Sequence, residues 1–368
     1  MKNYDLSFFD GEIVDNKLYF SNNSFNGLFA FDFSKKSCEY IDVFEKEELW
    51  SYNLHMKCIK YNDFLVFIPE FGVNINLYNT KTGEQKIITI PNKQVNKSAF
   101  FNAVLVDDKI WMFSKFYSQA SMILDMNTFE IEEYDGINQW CKEHVSTKET
   151  ISFVRLVRED DFIWMAAYNT GTIIRFNVKN FEIKSFNIGC DGLFGIFQGD
   201  DGFWLSEAAG NKLFYWKNET SEIVIYELDY EIKDGERAVT QVLNVGGQVY
   251  VVPTKREDIY CLDIEQDKFV KSFDYPKNYE RFIEGFWGYK NCEEYLYLFP
   301  FKNHGILKVW YKEKNVEVIP IKYDCDVYMK NTDVKIIDGM MNRVFNINKQ
   351  VKESSFFDLI TFIDIIKR

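Results

Sequence analysis

Proline is scarce in this chain, only 6 of 368 residues, and there is no excess of basic residues: 43 Lys and Arg stand against 56 Asp and Glu, a net charge of −13. The missing basic field argues against a protein that tracks phosphates along DNA or RNA, so no nucleic acid is expected among its partners. No apolar run approaches the ~18 residues of a transmembrane helix, and the N-terminus, Met-Lys-Asn-Tyr-Asp-Leu-Ser-Phe-Phe-Asp, has no apolar stretch of the signal-peptide kind. No membrane insertion is expected. The seven cysteines are odd in number and scattered, with no Cys-x-x-Cys pair. That pattern fits small buried thiols in a reducing cytoplasm better than a disulfide framework. Glycine-rich phosphate loops and a Gly-x-Ser-x-Gly elbow are also missing.

What the chain has in abundance is aromatic surface. Phe, Tyr and Trp make up 18% of it, with 35 Phe and 22 Tyr, and hydrophobic residues reach 46%. This excludes disorder, collagen and a long coiled coil, because there is ample apolar surface to offset chain entropy. A short apolar-aromatic-apolar triplet recurs: Leu18-Tyr19-Phe20, Leu65-Val66-Phe67, Ile110-Trp111-Met112, Ile163-Trp164-Met165, Phe203-Trp204-Leu205, Val249-Tyr250-Val251 and Leu296-Tyr297-Leu298. The central residues, called anchors below, stand 47, 45, 53, 40, 46 and 47 positions apart. An apolar stretch precedes each triplet and a third strand follows it. In six of seven repeats that third strand closes 13 residues beyond the anchor, with Asp32, Asn79, Asn177 and Asp263 at that place; Asp125 comes one later. A more polar fourth strand comes next, after turn residues such as Asn79-Thr80-Lys81-Thr82-Gly83.

Seven repeats of four strands at this period predict an all-β, seven-bladed β-propeller of four-stranded antiparallel blades, because radial repetition is how such units cover their edges. The aromatics then have a cause: sheets packed face to face around an axis need wide, stiff side chains in the widening gaps between them. Residues 1–368 are read as one propeller domain, with blades at roughly 5–45, 53–92, 98–135, 150–190, 191–229, 237–276 and 281–322. The 53-residue spacing holds a short helical insertion around Ile137 to His144. Residues 323–368 are read as closing strands, at Val334-Lys335-Ile336-Ile337 and Arg343-Val344-Phe345-Asn346. A C-terminal helix follows, opened by a capping box at Ser355 and Asp358.

The stretch Gly192-Leu193-Phe194-Gly195-Ile196, then Asp201-Gly202-Phe203-Trp204-Leu205, then Gly210-Asn211-Lys212-Leu213 resembles the blade motif of streptogramin-lyase-like and sensor-type propellers. Asp161-Phe162-Ile163-Trp164 and Asp108-Lys109-Ile110-Trp111 are looser copies. The resemblance implies the fold. Streptogramin lyases also carry paired catalytic His and Glu with a divalent metal, a set that His55, His144 and His304, far apart here, do not reproduce.

In a propeller, function concentrates at the mouth of the central channel, on the starts of the innermost strands and the loops between second and third strands. There the sequence places His55, Lys57, Asn102, Arg155, Gln241 and Glu284 on the inner strands. The loops add Glu70, Lys115, Tyr117, Tyr168, Asn169, Glu207, Lys255, Lys302 and His304, and Phe101, Phe194 and Trp287 are stacking platforms. A mixed ring of this kind suits a polar small molecule, a glycan or a partner protein held by directed hydrogen bonds. The leading expectation is a non-enzymatic binding or scaffolding propeller without a cofactor or metal, since Cys141 and His144 alone make no zinc site. The alternative is a lyase or glycan-active hydrolase at the same mouth, with His55, Glu70, Arg155, Glu207 or Glu284 in acid/base or charge-stabilising roles and, for glycoside chemistry, Glu70 and Glu207 as the paired carboxylates. A structural subunit of a larger assembly is the third reading.

Overall fold

A computed structural model of the chain describes residues 3–324, apart from 50, 92–96, 117–118, 146–151, 230–231, 234, 246, 255–257, 278, 280–285, 293 and 302–304. Seven four-stranded sheets run through them, at 11–42, 55–89, 100–134, 153–187, 193–227, 239–274 and 286–319. In each, the strands pair antiparallel in chain order, and the first strands of successive blades adjoin around the axis. This is the seven-bladed propeller that the repeat predicts. The helix of the insertion, Gly136–His144, lies between the third and fourth blades and buries Ile137, Asn138 and Cys141. Cys141 is buried, whereas His144 is exposed at the end of that helix and stacks on Trp140 with ring centroids 4.6 Å apart.

The ring closes where Asn3–Asp5 pairs antiparallel with Lys322–Asp324, and Leu6 N–H donates to the carbonyl of Ile321 at 3.0 Å. Blades 1 and 7 are each complete from one stretch of chain, so closure rests on this added ribbon and on side chains packed across the seam. The expected strands at 334–337 and 343–346 and the C-terminal helix lie outside the described residues.

The anchors explain the seams. All seven are buried on the second strand of their blade, and six of them reach across to the following blade. Tyr19 meets Tyr78 with ring centroids 6.0 Å apart, Trp111 meets Phe176 at 5.2 Å, Trp164 meets Phe203 at 5.0 Å, and Trp204 meets Phe269 at 5.7 Å. Tyr250 donates its hydroxyl to the carbonyl of Tyr311 at 3.2 Å, and Tyr297 stacks on Phe33 at 4.6 Å, which closes blade 7 on blade 1. Only Val66 is aliphatic, and its seam is filled by Ile and Met side chains instead. Among the described residues every seam between adjacent blades holds its own apolar cluster.

The residues that close the third strands do the work their chemistry predicts. Asp32, Asn79, Asp125, Asn177 and Asp263 each accept two backbone N–H bonds, from the residues two and three positions on, at 2.8–3.2 Å. The residue four positions on then takes a left-handed conformation: Lys36, Gly83, Phe129, Phe181 and Asp267 have φ between 49° and 76°. One short polar side chain thus sets the hairpin that delivers the fourth strand. Asn79→Ala removes both bonds at the second of these turns. It is expected to lower stability by about 1 kcal/mol, read as a lower urea midpoint with an unchanged slope.

Candidate functional site

Around the axis, the innermost strands share one irregularity. Register breaks between His55 and Lys57, Phe100 and Asn102, Phe153 and Leu156, Leu193 and Gly195, Val239 and Gln241, and Phe286 and Tyr289. Each is a β-bulge, which adds a residue and re-aims its neighbours. The bulge positions stand ten residues before the anchors: Met56, Phe101, Val154, Phe194, Thr240 and Trp287, with Phe9 at the same offset in blade 1. Phe9, Met56, Phe101 and Trp287 join Phe301 in one cluster at the axis. Trp287 lies edge-on to Phe9 at 5.6 Å, Phe194 at 5.7 Å and Phe301 at 5.7 Å.

One residue further along each strand lies a polar belt: Asp10, Lys57, Asn102, Arg155, Gly195, Gln241 and Gly288. Most of it ties neighbouring blades together. Lys57 pairs with Asp10 at 2.9 Å, Asn102 donates to the carbonyl of Val154 at 2.8 Å, and Gln241 donates to the carbonyls of Phe286 and Trp287. Arg155 is the exception. It is half-buried, and its Nε and Nη2 have no hydrogen-bond partner among the described residues. Removal from water pushes its pKa down to about 10, with Tyr289 and Asp10 opposing the shift and Arg237 adding to it. Its guanidinium carbon lies 5.5 Å from the ring centre of Trp287 and 6.0 Å from that of Phe194.

The walls come from a third offset, four residues after the anchor. Lys115, Tyr168, Ala208 and Thr254 occupy it in blades 3 to 6 and line a cavity of about 540 Å³ floored by Phe101, Val154, Phe194 and Trp287. The wall is held by a repeated bond from this position to the residue just before the blade: Tyr168 N–H to Ser152, Ala208 N–H to Gly192 and Thr254 N–H to Ala238. Arg237 completes the wall, its guanidinium carbon 3.7 Å above the ring of Phe194. The backbone beside it is pinned to Gly210, whose N–H donates to Glu236 and whose carbonyl accepts from Ala238. Its φ of +128° is a conformation that strains any residue with a side chain, and the Glu207 carboxylate would have to move from the place a Cβ at Gly210 would take. A second cavity, of about 810 Å³, adjoins the first and shares Tyr168, Ala208 and Gly235 with it.

Of the residues expected at the mouth, Lys115, Tyr168, Asn169, Phe101, Phe194 and Trp287 line the first cavity, and Arg155 lies against two of its rings. Asn102, Gln241 and Lys57 belong to the belt that joins blades. His55 is turned away, into the seam between blades 1 and 2, where its ring nitrogens meet Ser21 Oγ at 2.8 Å and the Asn76 amide at 3.1 Å. Glu70 is buried and lines neither cavity, and Glu207 lines the second. In blade 5 it is Ala208, next to the expected Glu207, that lines the main cavity, and in blade 6 Thr254 lines it. Glu284, Lys255, His304, Tyr117 and Lys302 lie outside the described residues. Arg237, missed from the sequence, comes from the connection before blade 6, where the turn at Gly235, φ +76°, was its one local signal.

No protein-family profile and no curated protein sequence matches the chain. Solved structures do. The extracellular domain of the putative hybrid two component system BT4673 from B. thetaiotaomicron aligns with 80% of this chain at 13% identity and a TM-score of 0.56. PorZ, a bacterial surface component of the type-IX secretion system of Porphyromonas gingivalis, aligns with 87% at 11% identity and a TM-score of 0.57. The chain spans 37% and 39% of the lengths of these two proteins. Hsv2 of Kluyvelomyces marxianus matches over 97% of its own length, at 11% identity and a TM-score of 0.53. At such identities the likeness is one of fold: the chain is a seven-bladed β-propeller.

Burial pushes the pKa of His55 down to about 3, against about 6.5 in an unfolded chain. The unfolded state therefore takes up the proton first, and stability falls as pH drops from 6.5 towards 3. His55→Gln keeps an amide able to bond Ser21 and Asn76 but cannot titrate. Between pH 7 and pH 5 the wild type is expected to lose about 2 kcal/mol more than the variant, measured by urea unfolding at both pH values.

Proposed function

We propose that this propeller is a non-enzymatic binding module that holds a polar small molecule, glycans included, in the channel-mouth cavity. The observation that carries this reading is a pocket with an aromatic floor under unsatisfied donors. Its 540 Å³ falls within the size of known ligand sites, roughly 300–1,000 Å³. Trp287 presents a ring to the cavity, and its indole N–H is buried without an acceptor among the described residues. Buried donors of this kind are satisfied in native proteins, by water or by a ligand. The paired-carboxylate alternative gains no support, because Glu70 and Glu207 do not share a cavity. The two-component and secretion-surface domains among the structural neighbours support a binding role by analogy of fold alone. A reducing compartment remains part of this reading; Cys38, Cys58, Cys141, Cys190, Cys261 and Cys292 are all free thiols.

A thermal-shift screen of polar metabolites and oligosaccharides, followed by calorimetry, tests the proposal. Trp287→Ala is expected to weaken any ligand found at least tenfold, as loss of a central aromatic contact does, while Trp287→Phe retains most of the affinity. Ligands that bind Trp287→Ala as tightly as the wild type would remove the cavity from consideration.

A further inference from the structure

The wall position, four residues after the anchor, has one weak point. Six of the seven blades put a side chain larger than a methyl group there, Lys115, Tyr168 and Thr254 among them, and blade 5 has Ala208. At Ala208 the cavity of about 540 Å³ meets the second one, of about 810 Å³. Ala208, Tyr168 and Gly235 line both, so the two are separated at this gap by little more than a methyl group and a glycine. The chain beside the gap is bare as well: a Cβ at Gly192 would collide with the carbonyl oxygen of Tyr168.

The two sides of the gap offer complementary chemistry. The first cavity has the rings of Phe101, Phe194 and Trp287, with two neutral groups buried and without a partner among the described residues, the Trp287 indole N–H and the Thr254 hydroxyl. The second has acceptors in Asp191 and Glu207; Glu207 Oε2 accepts the N–H of Lys212 at 3.3 Å, one bond of the several a carboxylate can accept. Tyr168, 37% exposed, stands on the ridge between them. Each cavity mixes cations with carboxylates, so neither is built for a ligand charged in one sense throughout. The backbone N–H groups of Tyr168, Ala208, Gly210 and Thr254 already donate within the fold, so the wall presents no run of main-chain donors to a peptide.

We infer that the ligand is a neutral linear oligosaccharide of two or more sugar units, laid through the gap at Ala208 so that it occupies both cavities. This rests on the binding role proposed above and adds the class of ligand and its length. A sugar unit has a C–H face that lies on an aromatic ring and a rim of hydroxyls that both donate and accept. Rings with a buried donor on one side of the gap and acceptors beside Tyr168 on the other fit two such units in succession. One lies on Trp287 and Phe194, and the next passes Tyr168 to reach Glu207 and Asp191. Each cavity falls within the roughly 300–1,000 Å³ of a small-ligand site, and the two together exceed it.

Calorimetry with sugar series of increasing length tests it: glucose with the malto- and cello-oligosaccharides, xylose with the xylo-oligosaccharides, and N-acetylglucosamine with the chito-oligosaccharides. In a series that binds, affinity is expected to rise at least tenfold from the single sugar to the trimer, because the second unit binds from a high effective concentration. Ala208→Tyr, which gives blade 5 the wall residue of blade 4, should bring the trimer down to the affinity of the single sugar and leave the single sugar unchanged. Asp191→Ala should weaken the trimer by about threefold or more, the loss of a hydrogen bond, and the single sugar not at all. If Ala208→Tyr melts several degrees below the wild type, Ala208→Thr, the wall residue of blade 6, takes its place. Trimers that bind no tighter than single sugars, or that keep their advantage in both the wall variant and Asp191→Ala, would overturn the two-cavity ligand while leaving the pocket in place. If no series binds, or the wider screen yields a peptide or another ligand that is not a sugar, the inference fails, and the binding role is then decided by the Trp287 variants and that screen.

Discussion

Everything in this structure depends on the contact that an anchor side chain makes with the blade after its own. A four-stranded blade is too small to bury either of its faces alone, so its stability is a property of its seams. Six anchors reach the next blade, five by ring contact and Tyr250 by its hydroxyl, and the stack of Tyr297 on Phe33 makes the last seam equivalent to the others. Aromatic pairs contribute about 0.5–1.5 kcal/mol beyond the area they bury. Their larger service here is geometric, because wide, stiff groups fill the outward-opening wedge between twisted sheets. Where the anchor is Val66, the seam holds Met112, Met122 and Met126, unbranched side chains that adapt to an irregular gap.

Once the anchors are fixed, the channel follows by counting. Ten residues upstream is the bulge that turns a side chain to the mouth, nine upstream is the belt that ties or charges the axis, and four downstream is the wall. The same backbone scaffold therefore presents a fresh choice of residue at each offset in every blade. Blades 1 to 3 use the belt for an ion pair and an amide bridge, and blade 6 for another amide bridge. Blades 5 and 7 leave it empty with glycine, and blade 4 puts a cation there. Structure is repeated and chemistry is not, which is how a propeller acquires a one-sided pocket from near-equivalent parts.

This division also explains what could be read in advance. The blades, the helical insertion and the hairpin turns were legible because each rests on local patterns: an alternating triplet, or an Asp or Asn that caps its own turn. The pocket was legible only in part. A bulge has no residue signature in these strands, since Phe101, Val154 and Thr240 occupy the same place, and missing it moves a side chain to another side of the strand. His55, one residue before its bulge, therefore faces a seam rather than the mouth, and the wall holds Ala208 rather than Glu207. Arg237 was out of reach for a different reason: it comes from a connection and is positioned by Gly210 of the preceding blade, a contact across 27 residues.

The belt position of blade 4 departs from what the scaffold asks of it. Gln241 and Asn102 show what the scaffold asks of that position, an amide that bonds a neighbouring carbonyl, and an amide at 155 would serve in the same way. Arginine there instead introduces a charge removed from water, and its depressed pKa records the cost. Arginine is the cation best suited to such a place, because its charge is delocalised and weakly hydrated and the faces of Trp287 and Phe194 partly replace water. A lysine ammonium would lose more. The rings thus have two roles at the axis: they seal the mouth as hydrophobic surface, and they make an otherwise costly positive charge tolerable beneath the pocket they floor.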